Sequence, residues 1–368
     1  MDNIIINELS KYFKSMIQEI MLSEREKYLK EHSETRGNGY YIRTPKTILG
    51  DMELEIPRTR DGNFKPSIIP ERKRVTFMLD DVIRALFTAG LSSRKTGEVI
   101  RNLMGTSVSA SFVSSNLEIS EEVISKFMNR ELTENYPVIY IDATYISLKR
   151  DTVSKESVYV VLGLSTDGRR EILTYCLPGG DEKSSVWRDI FINLTNRGLR
   201  GVKMVISDDL PGIGEVIKEV FPNADHQLCW FHLKKNIKNK VRKSDFDEIL
   251  KELEYVFESK NEDEAKSRLQ AFINKWSKLY RYFNNLRDKI NSYCYFFKFH
   301  PKLRSYFSTT NWLERCFKEL KDNIRIRGYF HSEESANKFL YLFFSDKSLK
   351  YHERKLRYSN IIEETLNG

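Results

Sequence analysis

The sequence is sparing in cysteine and holds no long apolar run and no internal repeat. Its four cysteines, Cys176, Cys229, Cys294 and Cys316, stand far apart in 368 residues and form no C-x-x-C pair. With no secretory signal at the N-terminus, they are expected to be free thiols in a reducing cytoplasm rather than a disulfide framework. Phe339-Leu-Tyr-Leu-Phe-Phe344 is far shorter than the roughly 20 apolar residues of a membrane span, so no membrane partner is expected. There is no low-complexity tract. Hydrophobic residues at 40% and aromatics at 12% exclude a disordered chain. The length leaves room for two or three domains.

Charge is present and uneven. Lys+Arg number 60 against 52 Asp+Glu, a net +8 that suggests a polyanionic partner without establishing one. The segment Lys234-Lys-Asn-Ile-Lys-Asn-Lys-Val-Arg-Lys243 holds six positive charges and no acid. It reads as a phosphate-binding helix or as one solvated helix face.

The chain is organised around Tyr136-Pro-Val-Ile-Tyr-Ile-Asp142-Ala-Thr-Tyr-Ile-Ser147. Its β-branched and aromatic residues compose a strand buried on both faces. Asp142 in the middle contradicts that burial, because an uncompensated carboxylate there costs several kcal/mol or more. Either a neighbouring donor or Arg pairs with it, or other carboxylates join it around a cation.

Ahead of this strand, residues 1–35 carry helical spacing (Leu9, Phe13, Met16, Ile17, Ile20), which predicts one or two amphipathic helices. Two strand-like runs between Gly39 and Pro57 predict a small hairpin turning at Gly50-Asp51. Arg58, Arg60, Lys65, Arg72, Lys73 and Arg74 then form a basic arm or a solvated linker. From Leu79 to about Lys126 three short helices are expected: Asp80 to Ala89, Ser92 or Ser93 to Gly105, and one opening in Thr106–Asn116. That skeleton suits a helix-turn-helix or a plain packing module. Arg94 and Lys95, with the small hydroxyls Ser109 and Ser111, are its candidate DNA contacts.

After Asp142 the pattern continues with strands Ser157–Leu164 and Arg170–Cys176 about a Thr166-Asp-Gly168 turn. A helix over Ser184–Arg197, a strand over Val202–Ser207 and a helix over Ile213–Val220 follow. The order β-β-β-α-β-α is that of a ribonuclease-H-like core, in which the fourth strand lies beside the first. Asp208 and Asp209 then fall in the crevice beyond the strand ends, although an Asp opening a Pro-Gly turn explains them equally. His226, Cys229 and His232 are closely spaced but lack a fourth ligand for structural zinc, so a packed Cys and His at a helix base is favoured. Helical patterns through Phe246–Phe257 and Leu269–Trp276 indicate an all-helical insertion. Near the end, Asn311 and Glu314 resemble a capping box. On the same helix Glu314, Lys318, Lys321 and Arg325 form one strip, which suits either a carboxylate beside a phosphate-tracking ridge or a solvated salt-bridge face.

Several of these stretches, in order from about residue 35 to 345, resemble the Mutator-type transposases of bacterial insertion sequences. They are Arg36-Gly-Asn-Gly-Tyr-Tyr-Ile-Arg43, Ile56-Pro-Arg-Thr-Arg-Asp-Gly-Asn-Phe64, Ala89-Gly-Leu-Ser-Ser-Arg-Lys95, Tyr140-Ile-Asp-Ala-Thr-Tyr145, Ser207-Asp-Asp-Leu-Pro-Gly-Ile213, Phe221–Leu233 and Thr310-Asn-Trp-Leu-Glu-Arg315. The resemblance implies an α/β ribonuclease-H-like catalytic core with an all-α insertion, preceded by a helical DNA-binding region containing a small β-hairpin. It implies an Asp-Asp-Glu triad of Asp142, Asp208 and Glu314, and a C-x-x-H signature of open role at Cys229 and His232. Asp209 stands where the family usually has Gly, Phe317 where it often has Asn, and Phe330-His331 where it has Phe-Pro.

These readings divide the chain into N-terminal helices (1–35), hairpin and basic arm (36–78), helix-turn-helix-like region (79–128), core (134–240), insertion (241–308), final catalytic helix with its successor (309–346) and C-terminal tail (347–368). The expected activity is metal-dependent DNA cleavage and strand transfer at terminal inverted repeats. The three carboxylates would hold two Mg²⁺ or Mn²⁺ ions roughly 3.5–4 Å apart. Lys234, Lys235, Lys238, Lys318, Lys321 and Arg325 would grip phosphates of double-stranded DNA. A homodimer or higher oligomer on paired ends, in a bacterial cytoplasm at the nucleoid, follows from the resemblance. Two alternatives are a catalytically inactive transposase-derived DNA-binding protein or repressor, which the intact triad opposes, and another ribonuclease-H-like nuclease such as a junction resolvase.

Overall fold

The computed structural model describes residues 2–47, 50–69, 77–104, 108–117, 119–132, 135–179 and 182–367. Arg72, Lys73 and Arg74 of the basic arm and Gly105, Thr106 and Ser107 lie outside them. The chain divides into two units, residues 1–120 with 325–327, and residues 121–324 with 328–368.

In the first unit the one or two helices expected at the N-terminus are a single helix, α1 (Asp2–Glu31). Ile17 and Met21 are its buried face, while Met16 is exposed. They pack with Met52, Leu54 and Ile56 beneath a ribbon. In that ribbon β1 (Gly37–Arg43) pairs antiparallel with β4 (Leu54–Thr59), and β2 (Lys46–Thr47) with β3 (Gly50–Asp51). Gly50-Asp51 is therefore a paired strand and not the hairpin's turn. Three helices follow: α2 (Phe77–Thr88), α3 (Ser93–Met104) and α4 (Ala110–Asn116). Gly97 lets α3 approach residue 108 closely, since a Cβ there would meet the Val108 carbonyl oxygen at 2.6 Å.

The second unit opens with α5 (Glu121–Met128), which packs on the sheet that follows. Strands β5 (Val138–Lys149), β6 (Val153–Leu164) and β7 (Arg170–Cys176) form an antiparallel meander. Helix α6 (Ser184–Asn196) leads to β8 (Met204–Ser207), and α7 (Ile213–Val220) to β9 (Asp225–Leu228). Sheet order is β7-β6-β5-β8-β9, with β8 parallel to β5 and β9 parallel to β8. The fourth strand thus lies beside the first. Strand β9 was not anticipated, because Asp-His-Gln-Leu has no strand composition; tertiary pairing makes it one.

Alternation along β5 sorts its two faces. Ile139 and Ile141 enter a cluster with Trp187, Phe191 and Val216 from α6 and α7. Tyr140 points the other way, where its hydroxyl donates to the Tyr306 carbonyl at 3.0 Å and its ring meets Trp312 edge-on. Asp142 shares that second face by the same alternation.

After β9 come α8 (Trp230–Lys238), α9 (Lys243–Phe257) and α10 (Glu262–Trp276), then 3-10 turns with the short helices α11 (Ile290–Cys294) and α12 (Arg304–Phe307). This helical stretch is anchored on the edge strand: Phe296 N–H donates to Gln227 Oε1 at 2.9 Å, and Trp230 Nε1 to the Tyr293 carbonyl at 2.7 Å. Edge β9 is thereby covered against further pairing. Helix α13 (Asn311–Arg327) then returns to the sheet, and Phe330 bridges the end of β5. Helix α14 (Glu333–Glu353) lies on β7, with Ser348 Oγ accepting the Ile172 N–H at 3.1 Å. Residues 347–368 hold the end of α14 and a further helix, α15 (Ser359–Asn367), whose Ile362 and Leu366 are buried.

Candidate active site

Asp142 and Asp208 arrive on neighbouring parallel strands. The β5–β8 ladder runs Val138 with Met204 to Tyr140 with Ile206. Two residues beyond its last pair stands Asp142 on β5, and Asp208 follows directly after the end of β8. Asp142 is 8% exposed. Its Oδ1 accepts the Ala143 N–H at 2.8 Å, and its Oδ2 receives the Thr310 hydroxyl at a long 3.5 Å. Asp208 is half-buried, with Oδ1 accepting the Asp209 N–H at 2.7 Å.

Helix α13 brings Glu314 to the same place. Thr310, not Asn311, is the N-cap residue, and it makes no side-chain cap bond, so no capping box forms. Glu314 instead reaches across to α8, where His232 Nε2 lies 2.8 Å from its Oε1. One ligand atom each from Asp142, His232 and Glu314 lie within 4.8 Å of one another. The segment before α13 is stitched to the start of α8. Thr310 N–H donates to Cys229 Sγ at 3.3 Å, Thr310 Oγ1 lies 3.4 Å from the same sulfur, and Trp230 N–H donates to the Ser308 carbonyl at 2.9 Å. Cys229 and His232 thus hold the base of α8 against α13.

Charge is strongly coupled here. Burial pushes the Asp142 carboxyl up to about 7, and nearby Glu314 adds to it against the opposing pull of His232. Burial alone would pull His232 down; the Cys229 sulfur and the Glu314 carboxylate beside it prevail and carry it up to about 11. Burial likewise opposes ionisation of Glu314, but His232, with Lys235 and Lys321 nearby, holds it below its usual range. His232 Nδ1 is buried with no hydrogen-bond partner among the described residues. A pinned imidazolium thus faces two carboxylates, one of which resists ionisation.

The sequence pattern of the Mutator family of transposases matches residues 3–354. The chain belongs to the Mutator family of transposases. It is similar to the transposase for insertion sequence element IS905 of Lactococcus lactis subsp. lactis (strain IL1403), 29% identical over 86% of this chain and 81% of that one. It is also similar to the transposase for insertion sequence element IS256 in transposon Tn4001 of Staphylococcus aureus, 30% identical over 89% of this chain and 86% of the relative. Among solved structures the Mos1 strand transfer complex matches 44% of this chain and 61% of that one at 13% identity. Its TM-score of 0.17 is too low to carry an argument.

Within this transposase chain the other anticipated residues distribute as follows. Lys235 and Lys238 on α8 and Lys318, Lys321 and Arg325 on α13 are exposed, and Lys234 is half-buried. Lys235 and Lys321 act on Glu314 from two different helices, so at least part of both basic strips borders the carboxylates. Arg94 and Lys95 are exposed in the first turn of α3. Ser109 uses its hydroxyl to cap α4, accepting the Phe112 N–H at 3.0 Å, and lies 2.9 Å from the Ser111 hydroxyl.

His226, Cys229 and His232 do not converge. His226 Nε2 meets Ser207 Oγ at 2.7 Å, and burial lowers its pKa to about 4. The zinc alternative therefore has no geometric support among the described residues. Asp209 turns away to an ion pair with Lys289 at 2.5 Å. Two neighbours escaped sequence reasoning. Glu182, whose Oε1 accepts Trp187 Nε1–H at 2.9 Å, is pushed up by burial and by Asp208; its loop carries no motif. Thr310 lay within the Thr310–Arg315 stretch, which gave it no role. No helix among the described residues is long and apolar enough to cross a membrane.

Proposed function

We propose that this chain is the DNA transposase of an insertion sequence, binding its element's terminal inverted repeats and cleaving and joining DNA strands at Asp142, Asp208 and Glu314. The observation that carries the reading is the convergence of the buried Asp142 and the half-buried Glu314, with His232, in one cluster of possible ligands. The strand order and the parallel pairing of β5 with β8 support a ribonuclease-H-like core.

The donor set fits a hard divalent cation. Asp142 and Glu314 offer oxygens, Asp208 follows the neighbouring strand, and a buried carboxyl that resists ionisation lacks sufficient compensating positive charge. Asp142, Asp208 and Glu314 would hold two Mg²⁺ or Mn²⁺ ions, which when bound activate the attacking water or 3′-OH and stabilise the leaving oxygen. His232 orients Glu314 from behind and keeps it ionised. Thr310 and Cys229 fix α13 against α8, so that Asp142 and Glu314 stay in register. Lys235 and Lys321 attract the phosphate to the carboxylates, and Lys234, Lys238 and Lys318 extend that field along double-stranded DNA; Arg94, Lys95 and Arg325, in the first unit, are further phosphate contacts. Paired ends require a homodimer or higher oligomer.

The test is cleavage of element-end DNA by the purified chain with Mg²⁺ or Mn²⁺, beside Asp142→Asn, Asp208→Asn and Glu314→Gln. The parent nicks or transfers strands; each variant binds the same DNA and does neither. Activity surviving Glu314→Gln removes Glu314 from the triad, and binding without cleavage by the parent identifies a transposase-derived repressor instead.

A further inference from the structure

Beside the carboxylates, between α8, α9 and the segment leading into α13, lies a cavity of about 460 Å³. Its apolar lining is Phe231, Phe257 and the buried Trp230; Ser305, Thr309 and Asn311 also line it. Phe231 is 43% exposed although large and apolar, and its one ring neighbour among the described residues is His232, at 5.6 Å. The cavity adjoins the site through the chain itself. Phe231 precedes His232, and Asn311 precedes Glu314 by one helical turn.

We propose that this cavity receives one nucleobase, swung out of the stack next to the phosphate held at the carboxylates. The inference rests on the reading of that site as a DNA-cleaving centre. Its chemistry matches an unpaired base: an aromatic face for stacking, and hydroxyl and amide groups for a base edge. Its volume is that of a small-molecule site and exceeds what a single side chain fills. Charge sets the direction of entry. Lys234 lines the same cavity as Glu254 and Glu258. Lys234 offers a contact to the backbone phosphate, and the two acids disfavour entry of anything but the uncharged base. Extrusion releases the strand's local geometry around the scissile phosphate, and stacking in the pocket offsets the unstacking it costs.

The experiment places 2-aminopurine singly at each position flanking the scissile phosphate of element-end duplex. Its fluorescence is followed as full-length protein saturates the DNA before metal is added. One flanking position brightens with the parent. Phe231→Ala loses the rise and binds the ends about tenfold more weakly, Phe231→Tyr restores it, and Ser305→Trp, which fills the cavity from its exposed rim, loses it. Cleavage of the unlabelled ends by the parent with no rise at any flanking position overturns the pocket alone. A rise that persists in both Phe231→Ala and Ser305→Trp overturns it as well. A parent that cannot cleave those ends removes the underlying reading and the pocket with it.

Discussion

Replacing Asp142 by Asn should make the metal-free protein more stable at neutral and alkaline pH while abolishing its activity. The carboxyl rises from 3.8 to about 7 because burial penalises its charged form. The sign follows from proton counting. Between pH 4 and 7 the folded chain keeps a proton that the unfolded chain has released, so stability contributed by this group is full below pH 4 and falls as pH rises to 7. About three pH units at roughly 1.36 kcal/mol each give a loss on the order of 4 kcal/mol. An Asn of nearly the same size has no such loss.

Chemical or thermal denaturation in EDTA, read as variant minus parent, should therefore show little difference near pH 4 and a plateau above pH 7. That plateau reaches up to about 4 kcal/mol, on the order of 10 °C in Tm. Mg²⁺ or Mn²⁺ should then stabilise the parent, by about 2.7 kcal/mol at a hundredfold excess over Kd, and leave the variant nearly unmoved. A variant no more stable than the parent at pH 8, or one with the same metal response, refutes the argument that a buried, under-compensated carboxylate awaits a cation.

Other outcomes follow from the same geometry. His232 is raised to about 11, so its contribution is present in full below about pH 6.5 and lost as pH climbs toward 11; His232→Gln should flatten that alkaline decline in denaturation curves and lower cleavage about 10- to 100-fold. Lys235→Gln and Lys321→Gln should weaken DNA binding similarly for every sequence, each reducing the slope of log affinity against log salt by about one in a fluorescence-anisotropy titration. Gly163→Ala should lower Tm, since the new Cβ would meet Tyr136 Cδ1 at 2.6 Å and Leu173 Cδ1 at 3.0 Å in the sheet's core; overpacking of this kind costs about 1–3 kcal/mol.

Much of the second unit was legible because its strands carry their burial in their composition. The run around Asp142 reads as a two-faced buried strand and is one, and β7, α6 and α7 fall at or within a residue of where their patterns put them. Strand β9 and the pairing of Gly50-Asp51 were not legible, since both are strands only because a neighbour supplies the hydrogen bonds. The capping-box alternative for Glu314 failed for a related reason. Spacing along a helix says which groups could meet locally, whereas His232, 82 positions away in the chain, competes from another helix.

By itself the sequence determined most elements of the second unit, the excess of positive charge, and the aspartates within β5 and after β8, because periodicity and composition are local properties of a chain. It also carried the motifs by which the family is known. Only the tertiary structure decided what surrounds Asp142. Burial, the return of α13 after a long helical excursion, and the imidazole of His232 are long-range facts. The energy of a buried charge depends on what lies within a few ångströms of it in space, wherever those groups stand in the chain.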